Sequence, residues 1–169
     1  MRAPLPGALG GTELVAWRLD ARQFAPTWDS GEGAYRFGGR WSSAGVRAVY
    51  CAFDASTTIL EVAVHRGFQR MDTVAHSLTS LRVIDPSDVH VVDIEALPNP
   101  NWIRTGLPSA GQQAFGDALL RTHKFIAVPS VVSPNSWNLV FVAEQAKERY
   151  VVRSQEDFAL DTRLHQPKT

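Results

Sequence analysis

Apolar and polar residues fall along this chain in short blocks, and the blocks predict an α+β fold. Glu13 to Leu19 (ELVAWRL) reads as a first strand and Val46 to Ala52 (VRAVYCA) as a second, with Val49 and Cys51 facing inward. Next, Asp54 or Ser56 supplies an N-cap for a helix running to about Arg66, whose apolar face is expected to be Ile59, Leu60, Ala63 and Val64. Glu61 and His65, four residues apart, lie beside that face. Strands are predicted at Ser80 to Ile84 and Val89 to Ile94, an amphipathic helix from about Ser109 to Thr122, and strands at Phe125 to Val132, Asn138 to Ala143 and Tyr150 to Arg153. Strands outnumber helices and do not alternate regularly with them. That argues against a doubly wound sheet and for a mostly antiparallel, twisted sheet or pair of sheets.

Residues 1–12, rich in Pro and Gly, read as a loose arm, and residues 165–169 (HQPKT) as a polar tail, leaving one domain over residues 13–164. The first two strands are joined by a long, Gly-rich segment. Such a connection inside a compact domain is more often functional than idle.

Charge narrows the function. Seventeen Lys and Arg balance seventeen Asp and Glu, so there is no general attraction to nucleic acid or an anionic membrane, and any anion site must be local. The single cysteine, Cys51, excludes an intramolecular disulfide and fits a reducing compartment. No secretory h-region or run of about 18 apolar residues is present, so a soluble, cytoplasmic protein is expected. His65, His76, His90, His123 and His165 lack ligand spacing such as HExxH, and no metal is expected.

The candidate chemistry concentrates between Ala34 and Glu61 (AYRFGGRWSSAGVRAVYCAFDASTTILE). Arg36, Arg40 and Arg47 surround a glycine turn, and guanidinium forks beside glycines suit phosphate groups that approach the backbone. Trp41 and Tyr50 offer flat partners for a ring, and together these features suit a dinucleotide. GGRW (Gly38 to Trp41) is neither a Walker nor a Rossmann motif, and its plain alternative is a glycine turn with a surface arginine. Glu61 is either an ordinary solvent-facing glutamate or a carboxylate that holds a ribose hydroxyl and stabilises positive charge at an anomeric carbon, as loss of nicotinamide from NAD requires. Arg18 is either a core-edge arginine paired with an acid or a ligand for pyrophosphate or ribose. Ser130, in VPSVVSPNSWN, lacks a GxSxG elbow, which rules out a hydrolase triad and leaves a turn serine or a hydroxyl that orients a ligand. Cys51 reads as a small buried hydrophobe.

These residues resemble the RES domain, the toxin half of bacterial RES/Xre toxin–antitoxin pairs. The resemblance runs from WRL at Trp17 to DTRL at Asp161, and rests on YRFGGRWSSAG, the AVY before the helix, LEVAVH and VPSVVSPNSWN. Ser42 and Ala44 stand where the family usually has asparagine and proline, and VFVAEQ replaces the usual asparagine-proline after WN. The resemblance implies an ADP-ribosyltransferase-like α+β fold, NAD as substrate with no cofactor, and an Xre-type antitoxin partner in a hetero-oligomer. It implies an enzyme that cleaves NAD by hydrolysis or phosphorolysis, or transfers ADP-ribose to a protein. The family's glutamate and serine map to Glu61 and Ser130, and its arginine role is shared between Arg18 and Arg40. The implied roles are Arg18 and Arg40 on diphosphate or ribose, Tyr50 stacked on nicotinamide, Glu61 on the developing cation and Ser130 on the ribose or the acceptor. Tyr35, Gly39, Trp41 and Asn138 complete the NAD contacts. From a different class, a non-catalytic nucleotide- or partner-binding module would use the same arginines and aromatics while tolerating loss of Glu61; a nuclease is disfavoured by the neutral charge.

Overall fold

The computed structural model describes residues 13–103, 106 and 108–164, so the proposed arm and tail lie outside the described residues. Seven strands form one sheet in the order β4-β5-β6-β2-β1-β3-β7: β1 (Leu14–Ala21), β2 (Ala48–Ala52), β3 (His76–Val83), β4 (Val89–Val91), β5 (Phe125–Pro129), β6 (Trp137–Val142) and β7 (Tyr150–Phe158). Every pairing is antiparallel except β4 with β5. The expected α+β architecture is therefore present, as one sheet rather than two. β1 and β2 meet at a single paired position, Trp17 with Ala52, whereas β1 pairs with β3 from Leu14 to Ala21 and β2 with β6 along its whole length. The sheet consequently opens between β1 and β2.

The strands at the centre of the sheet are covered on both faces, which explains why they read as apolar runs without clean alternation. Val49 and Cys51 of β2 enter one core cluster with Leu14, Leu81, Leu139 and Phe141, while Ala48 of the same strand enters a second with Trp41, Trp102, Ile126 and Val140. All five residues of β5 are buried. β7, on the sheet's edge, is largely exposed and continues to Phe158, past the Arg153 predicted as its end. β3 starts four residues before its predicted position, because Ser77, Thr79 and Ser80 are buried polar residues that break the apolar pattern.

Four α-helices join the strands: α1 (Glu32–Phe37), α2 (Ala55–Arg66), α3 (Phe68–Thr73) and α4 (Ala110–Thr122). The Gly-rich connection between β1 and β2 holds α1 and a 3-10 turn at Arg22–Thr27, elements too short to show a period in sequence. Asp54 is the N-cap of α2: its carboxylate accepts the Thr57 N–H and hydroxyl, each at 2.7 Å, a cap worth about 1 kcal/mol. The expected apolar face of α2 needs correction. Ala63 is buried and Ile59 packs against its cluster as expected, but Leu60 and Val64 are exposed, and the helix buries Thr57 and Thr58 in their place. The turn is fixed by Thr58, whose hydroxyl donates to the Trp17 carbonyl at 2.9 Å, and it leaves Glu61 part-buried. Ser109 caps α4, and this helix packs beside β5, β6 and the GGRW turn.

Candidate active site

Glu61 meets the end of β5 and the start of β6. Its Oε1 accepts hydrogen bonds from Ser130 Oγ at 2.8 Å and from Asn138 Nδ2 at 2.9 Å. Two donors on one oxygen are a preorganised setting for the ionised carboxylate. Asn138 Oδ1 is buried and makes no hydrogen bond.

Ser130 sits in a loop stitched by its own serines. The Ser130 N–H donates to the Ser136 carbonyl at 2.9 Å, Ser136 N–H returns to Ser133 O at 2.8 Å, and the Ser133 N–H donates to Ser130 Oγ at 3.0 Å. Ser130 is wholly buried and its single hydroxyl proton goes to Glu61. In this structure the Ser130 hydroxyl therefore meets Glu61 and the Ser133 N–H.

Arg40 rides on the GGRW turn. Its Nη1 donates to the Trp102 carbonyl at 2.8 Å, and its charge is felt by Glu61 and Tyr50. Partial burial pulls the Arg40 pKa down from its ordinary value, while Glu61 and Tyr50 hold it up. Guanidinium basicity keeps the group cationic.

Tyr50 supports this turn from β2. Its Oη accepts the Trp41 N–H at 3.1 Å and lies 2.8 Å from Ser42 Oγ. Gly39 permits the approach, since a Cβ there would meet the Tyr50 ring carbon Cζ at 2.7 Å. Burial raises the Tyr50 pKa to about 12, against the lowering effect of the hydrogen bonds from Ser42 and Trp41. Tyr50 is thus neutral at physiological pH, with its hydroxyl tied into the turn.

Arg18 reaches the group only through main chain. Asp20 holds it by two bonds of 2.9 Å, from Nε and Nη2, and its Nη1 donates to the Tyr50 carbonyl at 2.9 Å, in the gap between β1 and β2. The core-edge arginine paired with an acid describes what is seen. Two of its five N–H groups are outside these bonds.

Trp41 is 2% exposed and packs at 6.1 Å, tilted, on Trp102, which leaves no ring face open in this structure. Tyr35, on α1, is exposed with Arg47 stacked on its ring at 4.3 Å. Neither joins the Glu61 cluster. Among the described residues no group of three or more His, Cys, Asp or Glu could hold a metal ion. None of their helices is long and apolar enough to cross a membrane.

The model of the RES domain matches residues 15–161, across the sheet and all the site residues above. The chain belongs to the RES domain family. A Photorhabdus laumondii protein named Toxin Res is 31% identical over 160 residues, covering 92% of this chain and 99% of that protein. A Pseudomonas putida protein of the same name is 29% identical over 153 residues, with 89% and 99% covered. In fold, the chain resembles a solved structure titled as the M. tuberculosis MbcT-MbcA toxin-antitoxin complex, with a TM-score of 0.70, 24% identity, and 88% of this chain and 85% of that chain covered.

The sequence reading missed Gln113, Gly116 and Asp117 of α4. Gln113 Nε2 donates to the Gly39 carbonyl at 3.0 Å, and Asp117 Oδ1 accepts the Ser43 N–H at 2.9 Å. Their spacing of three and four residues places them on one helix face.

Proposed function

We propose that this RES domain is the toxin of a toxin–antitoxin pair and acts by binding NAD and cleaving its nicotinamide-ribose bond. The observation that carries the proposal is the Glu61 carboxylate, fixed through Oε1 by Ser130 and Asn138 within the field of a part-buried Arg40. One oriented carboxylate and one oriented guanidinium match a substrate with a diphosphate at one end and a centre that turns cationic at the other. As the bond from C1′ to nitrogen breaks, its electron pair leaves with nicotinamide, and C1′ becomes oxocarbenium-like. Glu61 Oε2 stabilises that charge, with no proton transfer needed to expel an already cationic leaving group. Arg40 binds the diphosphate, aided by the uncommitted N–H groups of Arg18. Ser130 and Tyr50 act through Glu61 and the arginine turn.

ADP-ribose then passes to water, phosphate or a side chain of a target protein, the acceptor losing a proton as its bond to C1′ forms. No cofactor takes part. The protein works in the cytoplasm and is silenced by an Xre-type antitoxin that covers the arginine cleft, with an acidic group or a C-terminal carboxylate on Arg18 or Arg40. That the neighbouring solved structure is titled a toxin-antitoxin complex supports an antitoxin partner.

Mass-resolved analysis of purified, antitoxin-free protein with NAD tests the proposal, with and without phosphate and with cell extract. Free ADP-ribose identifies a hydrolase, ADP-ribose-1″-phosphate a phosphorylase, and a labelled extract protein a transferase. No nicotinamide release by folded protein under any of these conditions refutes the enzyme and leaves a binding module.

A further inference from the structure

The helix face that meets the arginine turn is built at a cost that fold stability alone does not explain. Asp117 is only 9% exposed, and its carboxylate accepts the N–H of Ser43, a neutral peptide group. Burying a carboxylate for one such bond is expensive. One turn earlier, Gln113 holds the Gly39 carbonyl; between the two, Gly116 has no Cβ, which lets the Trp41 main chain lie against the helix. From the other side, Tyr50 holds the Trp41 N–H. Peptide groups at 39, 41 and 43 are therefore clamped by α4 and β2, and Arg40 is the charged residue between them.

A long arginine side chain aims accurately only if the peptide units on both sides of its Cα are immobile. We propose that Gln113 and Asp117 are positioning residues that fix the direction of Arg40 toward the Glu61 site, and so set affinity for the anionic part of the substrate without touching it. This rests on the NAD reading above, and the experiment separates the two.

The variants are Gln113→Ala, Asp117→Leu and Asp117→Asn, with Gln113→Ala also placed in an Arg40→Ala background. Steady-state nicotinamide release gives kcat and KM, amide hydrogen exchange reports on Gly39, Trp41 and Ser43, and thermal melting confirms folding. Misaiming a binding group by about an ångström is expected to raise KM for NAD about tenfold or more in Gln113→Ala and Asp117→Leu, with kcat within about threefold. Asp117→Asn keeps an oxygen for the Ser43 N–H and should stay within about threefold of wild type, which also covers the case in which the leucine variant does not fold. In the Arg40→Ala background Gln113→Ala should change KM by less than about twofold, since no guanidinium remains to aim. An equal effect in both backgrounds, or a loss of kcat at unchanged KM, overturns the proposal. In Gln113→Ala, exchange at the three amides should quicken while global unfolding stays the same. Unchanged exchange overturns the brace even if the wild type is active, whereas quickened exchange in a protein that releases no nicotinamide supports the brace and removes the NAD reading alone.

Discussion

One methyl group at position 116 sets helix propensity against packing. Inside an α-helix, glycine to alanine stabilises by about 1 kcal/mol when the methyl meets open space. Gly116 does not face open space: a Cβ there would fall on the Trp41 carbonyl oxygen, 2.6 Å from the carbonyl carbon and 2.8 Å from Cα, where ordinary contact begins at 3.4 Å. The turn must withdraw by well over half an ångström. It cannot do so freely, because Gln113 and Asp117 of the same helix hold it by bonds of 3.0 and 2.9 Å. Overpacking of this kind costs about 1–3 kcal/mol, and each loosened hydrogen bond adds about 1 kcal/mol. With the propensity gain subtracted, Gly116→Ala should destabilise the fold by about 2–4 kcal/mol. For a chain of this length that is a fall in Tm of about 4–16 °C. Thermal and urea unfolding of the two proteins measure it. A Gly116→Ala protein that melts at or above the wild-type temperature refutes the packing of α4 on the turn.

Ser130→Ala removes a charge-assisted bond to Glu61 and strands the Ser133 N–H, so it should cost about 1–3 kcal/mol in urea unfolding. It should also lower nicotinamide release at least about tenfold, by freeing the carboxylate; wild-type values in both assays would contradict the assigned role. At alkaline pH, burial raises Cys51 and Tyr50 to about 12 each and also raises Tyr150. The unfolded chain releases these protons from about pH 9 for the thiol and pH 10 for the phenols, whereas the folded chain keeps them, so stability is intact below pH 9 and falls as pH rises toward 12. Each buried group contributes a slope of at most about 1.4 kcal/mol per pH unit, and Cys51→Ala should flatten the loss between pH 9 and 10. Urea midpoints across that range that are the same for both proteins would count against a buried thiol.

What could be read from the sequence follows from what local pattern encodes. The long helices were legible because Asp54 and Ser109 are caps followed by sustained helical residues. The strands β2, β5 and β6 were legible as dense apolar blocks. The orientation of α2 was not, because Thr58 is anchored by a hydrogen bond to Trp17 in a distant strand, and that tertiary bond overrides the apolar stripe of Leu60 and Val64. Arg40, Glu61, Ser130 and Asn138 could be named from the motifs that carry the family resemblance. Their division of labour could not be, since Ser130 and Trp41 look available in sequence and only packing shows both to be buried. The clamp from α4 was hidden for another reason. Gln113 and Asp117 lie 74 residues from the peptide groups they hold, and nothing local in a helix marks such a partner.

The central claim is that the Glu61 carboxylate, held by Ser130 and Asn138, stabilises charge developing as NAD loses nicotinamide. Glu61→Gln tests it most directly, because the amide oxygen can still accept both bonds while the negative charge is gone. Nicotinamide release and NAD binding should be measured together on the folded wild-type and variant proteins. The account predicts release lowered by at least about a thousandfold with affinity for NAD within about threefold, the signature of an interaction made in the transition state. Wild-type release by Glu61→Gln, or equal loss of binding and turnover, would contradict it.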